Sequence, residues 1–180
     1  MTTAWYAARA GGMLAFALLT VSVVLGLALS GRVRLKRWPR FAVEDVHRFV
    51  GMLAGAFVGI HLAGLLADTY VPFSLSQVLV PFTSSYRPLA TGLGVVSLEL
   101  LAALAVVNRY RKRLPYRFWR RAHYLNFAVW ALALAHGIAS GTDSGTPWGV
   151  LLYGVAAGSV AGLLAWRAAG GGVVAAADAR

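Results

Sequence analysis

The chain has 180 residues, of which 59% are hydrophobic and only 13% are charged. A soluble domain of this size carries about 25% charged residues, so the composition indicates a membrane protein. A net charge of +11 would also suit nucleic-acid binding, but the basic residues cluster in short loops between apolar segments, which argues against that class. There is no cysteine, so disulfides and thiolate metal ligands are excluded.

Apolar segments long enough to cross a bilayer, about 20 residues each, recur along the whole chain. We predict five spans, at residues 12–30, 44–67, 88–107, 119–139 and 147–167. The first is too long for an ordinary signal-peptide core and is interpreted as a retained helix. The sequence therefore predicts an all-α membrane protein, with a bundle of about five transmembrane helices in a single domain (1–170) and a flexible C-terminal tail (171–180).

The distribution of basic residues predicts the orientation. Five of the 17 Lys and Arg residues lie in 31–41 and seven in 108–122. Because basic loops stay on the cytoplasmic side, the N-terminus is predicted outside and the C-terminus inside, in the cytoplasmic (plasma) membrane. The longest outer loop, 68–87, contains a short amphipathic segment that we interpret as a lid on the membrane surface.

All four histidines of the chain lie on two of these spans. His47 and His61 are 14 residues apart on the second span, and His123 and His136 are 13 apart on the fourth. At a rise of 1.5 Å per residue these separations are about 21 and 19.5 Å. The spans run in the same direction, so the imidazoles form two levels, with one histidine from each helix at each level.

Two such levels predict two heme b groups with bis-histidine ligation, which favours electron transfer over oxygen binding. His47 and His123 would ligate the inner heme iron, and His61 and His136 the outer one. Thirteen residues turn an ideal helix about 140° away from the starting face. The fourth span is therefore expected to be kinked or tilted, or the second heme to be rotated.

The histidines have two alternative interpretations. They could be polar residues satisfied within a helical bundle, but ionisable side chains inside a membrane are costly and usually functional. A zinc or copper site is a further alternative, although two histidines alone make a poor structural zinc site.

Residues near the two levels are candidates for the heme pocket. Gly51, Gly55 and Gly59 open a groove on the second span, or else serve close helix packing. Propionate contacts are predicted from residues flanking the histidines on the inner side and from the outer loop: Arg48, Arg120 and Arg121 inside, Tyr86 and Arg87 outside. Glu99 lies in the middle of the third span, where we expect a buried carboxyl group.

The spacing of the paired histidines resembles the di-heme core of the ferric reductase-like transmembrane domain superfamily. The segments "VPFTSSYRPLATGLG", "LPYRFWRRAHYLNFAVWALALAHG" and "GTDSGTPWG" are similar to actinobacterial members, and the resemblance covers roughly residues 10–167. This superfamily includes the membrane domains of ferric reductases and NADPH oxidases and the heme-binding subunit of the methionine sulfoxide reductase system. It implies that electrons pass from the His47/His123 level to the His61/His136 level.

The resemblance leaves two functions open. One is transmembrane electron transfer by a ferric reductase-like di-heme cytochrome, from a cytoplasmic or quinol donor to ferric iron, oxygen or an exported redox protein. The other is a non-catalytic heme subunit that delivers electrons to an exported reductase or external flavoprotein. A Gly-rich dinucleotide fingerprint is absent from the sequence, so a separate electron donor is expected. A heme-free transporter or scaffold is a third alternative.

Overall fold

A computed structural model of the chain describes residues 2–31 and 38–170. These residues form helices connected by short loops, and they contain no β-strand. The predicted tail 171–180 and most of the basic loop 31–41 lie outside the described residues. The helices are α1 (Thr3–Ser30), α2 (Arg40–Ala67), α3 (Leu75–Leu79), α4 (Pro88–Arg109), α5 (Tyr116–Tyr124), α6 (Asn126–Ser140) and α7 (Pro147–Ala168), with a 3₁₀ turn at Arg111–Arg113.

Four of the helices, α1, α2, α4 and α7, are long and apolar enough to span a membrane. They correspond to four of the five predicted spans. The remaining predicted span, 119–139, consists of two shorter helices, α5 and α6, which meet at Leu125. The 13-residue spacing of His123 and His136 predicts a kink in this span as one of two alternatives. Within the described residues the fold therefore has four uninterrupted candidate spans and one broken segment.

The break at Leu125 has a local cause. The Asn126 side-chain amide donates a hydrogen bond to the backbone carbonyl of His123, at 2.7 Å. The backbone N–H of Leu125 bonds the carbonyl of Ala122, one residue closer than the α-helical partner. A side chain that occupies a backbone acceptor interrupts the helical hydrogen-bond ladder and changes the direction of the helix. His123 and His136 thus belong to two different helices.

Helix α1 lies at the centre of the packing. It packs along α2 and also contacts α6 and α7, while α4 packs along α6. Trp130 stacks on Phe16, with ring centroids 6.4 Å apart, and its indole N–H donates to the Thr20 hydroxyl at 3.0 Å. This Trp130 contact belongs to the buried core cluster formed by Phe16, Val23, Leu27, Trp130, Ala156 and Val160.

Glu99 departs from the expectation of a buried carboxyl group. It lies on an exposed face of α4, whereas Ser97 and Leu104 of the same helix are buried. The hydroxyl of Ser97 bonds the carbonyl of Val129 on α6 at 3.0 Å. The packed side of α4 therefore faces α6, and Glu99 lies away from it.

The N-terminus of α1 and the C-terminus of α2 are linked by Asp68. Asp68 is buried, at 4% exposure. Its carboxylate accepts a hydrogen bond from the Thr2 hydroxyl and another from the backbone N–H of Val71, at 3.0 Å. The pKa of Asp68 is lowered because these donors stabilise the ionised carboxylate, and the Thr2 hydroxyl has the largest effect. The predicted amphipathic segment of the loop 68–87 is present as α3, which begins with a capping box between Ser74 and Gln77.

Candidate functional site

The four imidazoles lie in two facing pairs. At the basic end of the bundle, His47 of α2 and His123 of α5 have ring centroids 6.1 Å apart and planes at 73°. At the other end, His61 of α2 and His136 of α6 have centroids 6.4 Å apart and planes at 75°. We name these the inner pair and the outer pair.

The centroid separations suit two imidazoles on opposite sides of one metal ion. A metal–nitrogen bond of about 2 Å and about 1 Å from nitrogen to ring centre, counted twice, give about 6 Å. A direct N–H···N hydrogen bond would bring the two ring centres closer together. The separations and angles also fall within the range of edge-to-face ring contacts. Each pair offers two ligands: the described part of the chain holds no cluster of three or more His, Cys, Asp or Glu residues placed for a metal ion.

Three of the four imidazoles are oriented by a backbone carbonyl. The Nδ1 atom lies 2.9 Å from the Ser22 carbonyl oxygen in His47, 2.7 Å from that of Ala8 in His61, and 2.8 Å from that of Ala90 in His136. A carbonyl only accepts, so Nδ1 carries the proton in each case. The unprotonated Nε2 then has a free lone pair for a metal, and the hydrogen bond increases its basicity.

His123 is held differently. Its Nδ1 lies 3.4 Å from the Asn126 amide nitrogen and has no backbone carbonyl partner among the described residues. Its ring instead stacks on Trp119, with centroids 5.3 Å apart and planes at 27°. The Trp119 indole N–H donates to the side-chain oxygen of Asn108 on α4, at 2.9 Å. Thus Asn108 and Trp119 connect His123 to α4.

Glycines on neighbouring helices make room for three of the rings. A Cβ atom on Gly12 of α1 would lie 2.8 Å from Nδ1 of His61, and one on Gly94 of α4 would lie 2.6 Å from Nδ1 of His136. A Cβ on Gly26 of α1 would lie 3.4 Å from Cε1 of His47. Any side chain at Gly12 or Gly94 would therefore displace an imidazole of the outer pair.

A cavity adjoins the outer pair and separates the helix carrying His61 from α4 and α6. Helices α1 and α2 form one packed unit and α4 and α6 another, and α2 makes few contacts with either α4 or α6 in the described residues. Apolar side chains of both units line the cavity, among them Ala54, Val58, Leu62, Leu98, Leu101 and Ala133. An apolar slot between facing imidazoles fits a flat hydrophobic group with a central metal.

The predicted propionate contacts on the inner side are exposed, and two of them are engaged with neighbouring side chains. Arg48 pairs with Asp45 at 3.5 Å on the surface. Arg120 bonds the hydroxyls of Tyr116 and Tyr124, at 3.1 and 3.3 Å, and Arg121 is exposed. The structure thus places these three side chains on the surface of their helices.

On the outer side, Tyr86 lines the cavity, whereas Arg87 binds elsewhere. The Arg87 guanidinium donates to the carbonyl of Ala139 at 2.6 Å and lies over the Tyr86 ring. The cation that does line the cavity is Arg9 of α1, which pairs with the Asp143 carboxylate. Sequence reasoning missed Arg9, although its spacing of three residues from Gly12 places both on one side of α1.

The fold and the site define a class: a multi-pass helical membrane protein with two facing imidazole pairs between its helices. The chain belongs to the ferric reductase-like transmembrane component family, whose model matches residues 11–134. His47, His61 and His123 fall within this match, and His136 follows two residues beyond it. No curated protein and no solved structure matches the chain. Membership indicates transmembrane electron transfer, and domains of this family commonly bind heme.

Proposed function

We propose that the protein is a di-heme b-type cytochrome that transfers electrons across the cytoplasmic membrane. The observation that carries this proposal is the matched geometry of the two pairs, with imidazole centroids 6.1 and 6.4 Å apart at opposite ends of the bundle. A single pair would suit a polar contact between helices. Two pairs with nearly equal separations and ring angles support a repeated ligand set.

Heme iron held between two imidazoles exchanges single electrons and offers no open position to a small ligand. The protein's own residues fix the ligand atoms before any group binds. The carbonyls of Ser22, Ala8 and Ala90 hold the proton on Nδ1 of three imidazoles, which leaves Nε2 free. Because the rings are already oriented, metal binding costs little conformational entropy.

The orientation and partners follow from the charge distribution. With the basic clusters on the cytoplasmic side, the inner pair faces the cytoplasm and the outer pair faces the exterior. We propose that a separate reductase or a quinol supplies electrons. The acceptor outside is ferric iron, oxygen or an exported redox protein. The protein binds the lipid membrane and not nucleic acid.

The proposal is tested by heme quantification in protein purified from heme-replete cells. We expect about two hemes per chain and the sharp reduced-minus-oxidised bands of low-spin b heme. Colourless protein, or protein with one heme per chain, would contradict the di-heme proposal. The same sample is then mixed with quinol, reduced flavin and reduced nicotinamide to identify the donor by heme reduction.

A second candidate function is a non-catalytic heme subunit for an exported reductase or an external flavoprotein. It is favoured by the lining of the cavity, which includes Gln77 of α3 and Thr142 and Asp143 of the loop between α6 and α7. Two connecting segments of the predicted outer side therefore reach the same cavity. Rapid reduction of ferric chelates or oxygen by the reconstituted protein alone would argue against this candidate. Electron transfer only in the presence of an exported partner would support it.

A further inference from the structure

The outer cavity contains a buried hydrogen-bond donor that has no partner. Trp5 of α1 is 7% exposed and lines the same cavity as His61 and His136. Among the described residues its indole N–H meets no acceptor. Buried donors in native proteins are nearly always paired, and leaving one unpaired costs stability. An acceptor that is not part of the described chain would satisfy it.

Arg9 lies beside this donor. Trp5 and Arg9 are four residues apart on α1 and therefore on the same face, and Ala8 and Gly12 share that side of the helix. Ala8 provides the carbonyl that orients His61, and Gly12 provides the space for its ring. One face of α1 thus presents a carbonyl and a gap for the imidazole, with an N–H and a guanidinium next to them.

The Arg9 guanidinium contacts the Asp143 carboxylate, which partly neutralises its charge. A guanidinium has five N–H donors, so one carboxylate leaves donors for a second. Asp143 then holds the Arg9 side chain against the cavity wall. Arg87, the other outer cation, is engaged with the Ala139 carbonyl and does not line the cavity.

We propose that Trp5 and Arg9 form a carboxylate-binding site for the propionates of the heme held by His61 and His136. This inference rests on the proposed function and specifies the direction in which the outer heme would present its acidic edge. Charge-assisted hydrogen bonds to carboxylates are stronger than neutral ones, so this site would contribute to retention of the outer heme.

The test compares Trp5→Phe with the unmodified chain, each loaded with natural heme or with heme dimethyl ester, which has no free carboxylate. The readout is the rate at which heme transfers from the full-length protein to excess apomyoglobin, followed by absorbance. We expect Trp5→Phe to release natural heme from one site about tenfold faster, the effect of losing one hydrogen bond to a charged group. For the dimethyl ester the difference between the two proteins should be clearly smaller, because its neutral carbonyl accepts only a weaker hydrogen bond.

Tyr6→Phe is the matched control, because Tyr6 is the exposed neighbour on the same helix. An equal effect of Trp5→Phe on both forms of heme, or no effect on either, would overturn the inference while leaving the di-heme proposal intact. Protein without heme would overturn both. If Trp5→Phe does not fold, the comparison is made with Arg9→Gln, and the unmodified chain should itself release the ester faster than natural heme from one site.

Discussion

The inner and outer imidazole pairs have nearly the same separation but are supported in different ways. Both rings of the outer pair donate to backbone carbonyls, on α1 and α4, and both lie against a glycine. In the inner pair only His47 has this arrangement, with Ser22 and Gly26. His123 depends on stacking with Trp119 at the end of the short helix α5.

This difference shows that one ligand geometry can be produced by two kinds of support. A backbone carbonyl in a long helix moves little, so the outer rings are fixed by elements that also form the spans. The orientation of His123 depends on two side chains, Trp119 and Asn108, and on a helix break. We therefore expect heme binding at the outer pair to be sensitive to added side-chain volume at the glycines. The heme at the inner pair should be sensitive to the loss of side-chain contacts around His123.

The largest expected effect is at the glycines of the outer pair. Gly94→Ala and Gly12→Ala each place a Cβ closer to Nδ1 than real Cβ atoms approach, at 2.6 and 2.8 Å. Each variant should lose one of two hemes, measured as the heme-to-protein ratio. Gly26→Ala, with its nearest contact at 3.4 Å, and Gly55→Ala, with no atom within 4 Å, are the controls. Two hemes retained in all four variants would contradict the account.

A smaller effect is expected when the stacking at the inner pair is removed. Trp119→Leu should raise the midpoint potential of one heme by a few tens of millivolts. An aromatic pair contributes about 0.5–1.5 kcal/mol, and about 59 mV corresponds to a tenfold change in a one-electron equilibrium. A less firmly held imidazole donates less well to ferric iron, which accounts for the direction. Spectroscopic redox titration measures it. The exposed Trp38→Leu is the control, and equal shifts in both variants would argue against a role for Trp119.

The smallest effect concerns the connection between α1 and α2 away from both pairs. The pKa of Asp68 is lowered in the folded state, chiefly by the Thr2 hydroxyl. A carboxylate whose pKa is lower in the folded than in the unfolded protein stabilises the folded state. This stabilisation is complete above the unfolded pKa of about 3.9, and it is lost as the pH falls through the folded pKa. Asp68→Asn should therefore lower the melting temperature at pH 7, and the difference from the unmodified chain should shrink below about pH 4.

Thermal melting in detergent at pH 7, 4 and 3 checks this expectation. Asp45→Asn is the control, because Asp45 forms only an exposed pair with Arg48. A pH-independent difference for Asp68→Asn would show that the ionised carboxylate is not what ties the two helix ends.

Much of the fold follows from hydrophobic length, because a bilayer imposes the same requirement on every span. Hence residues 12–30, 44–67, 88–107 and 147–167 correspond to long helices of the structure. The break at Leu125 leaves the hydropathy of the segment unchanged, so the sequence indicated it only through the spacing of two histidines. The 13-residue spacing of His123 and His136 is incompatible with a straight helix carrying both on one face, and Asn126 is the residue that interrupts it.

The site was predictable in part. The histidines are rare polar residues in apolar spans, so their spacing alone pointed to the pairs whose geometry the structure describes. Their supports were not predictable, because backbone carbonyls have no sequence signature. Gly51, Gly55 and Gly59 were predicted either to open a groove or to serve close helix packing. Gly55 and Gly59 have no neighbouring atom within 4 Å, which does not fit close packing, and the glycines against imidazoles lie on α1 and α4. Periodicity assigns a residue to a face and does not say which helix faces it.

The most direct test of the central claim is a set of paired histidine variants, measured by heme stoichiometry. If His47 and His123 share one heme, then His47→Ala and His123→Ala each lose one heme, and the double variant His47→Ala/His123→Ala still retains the other. The cross-level double variant His47→Ala/His61→Ala should lose both. Retention of one heme in that cross-level variant, or loss of both in the same-level variant, would contradict the assignment of the two pairs.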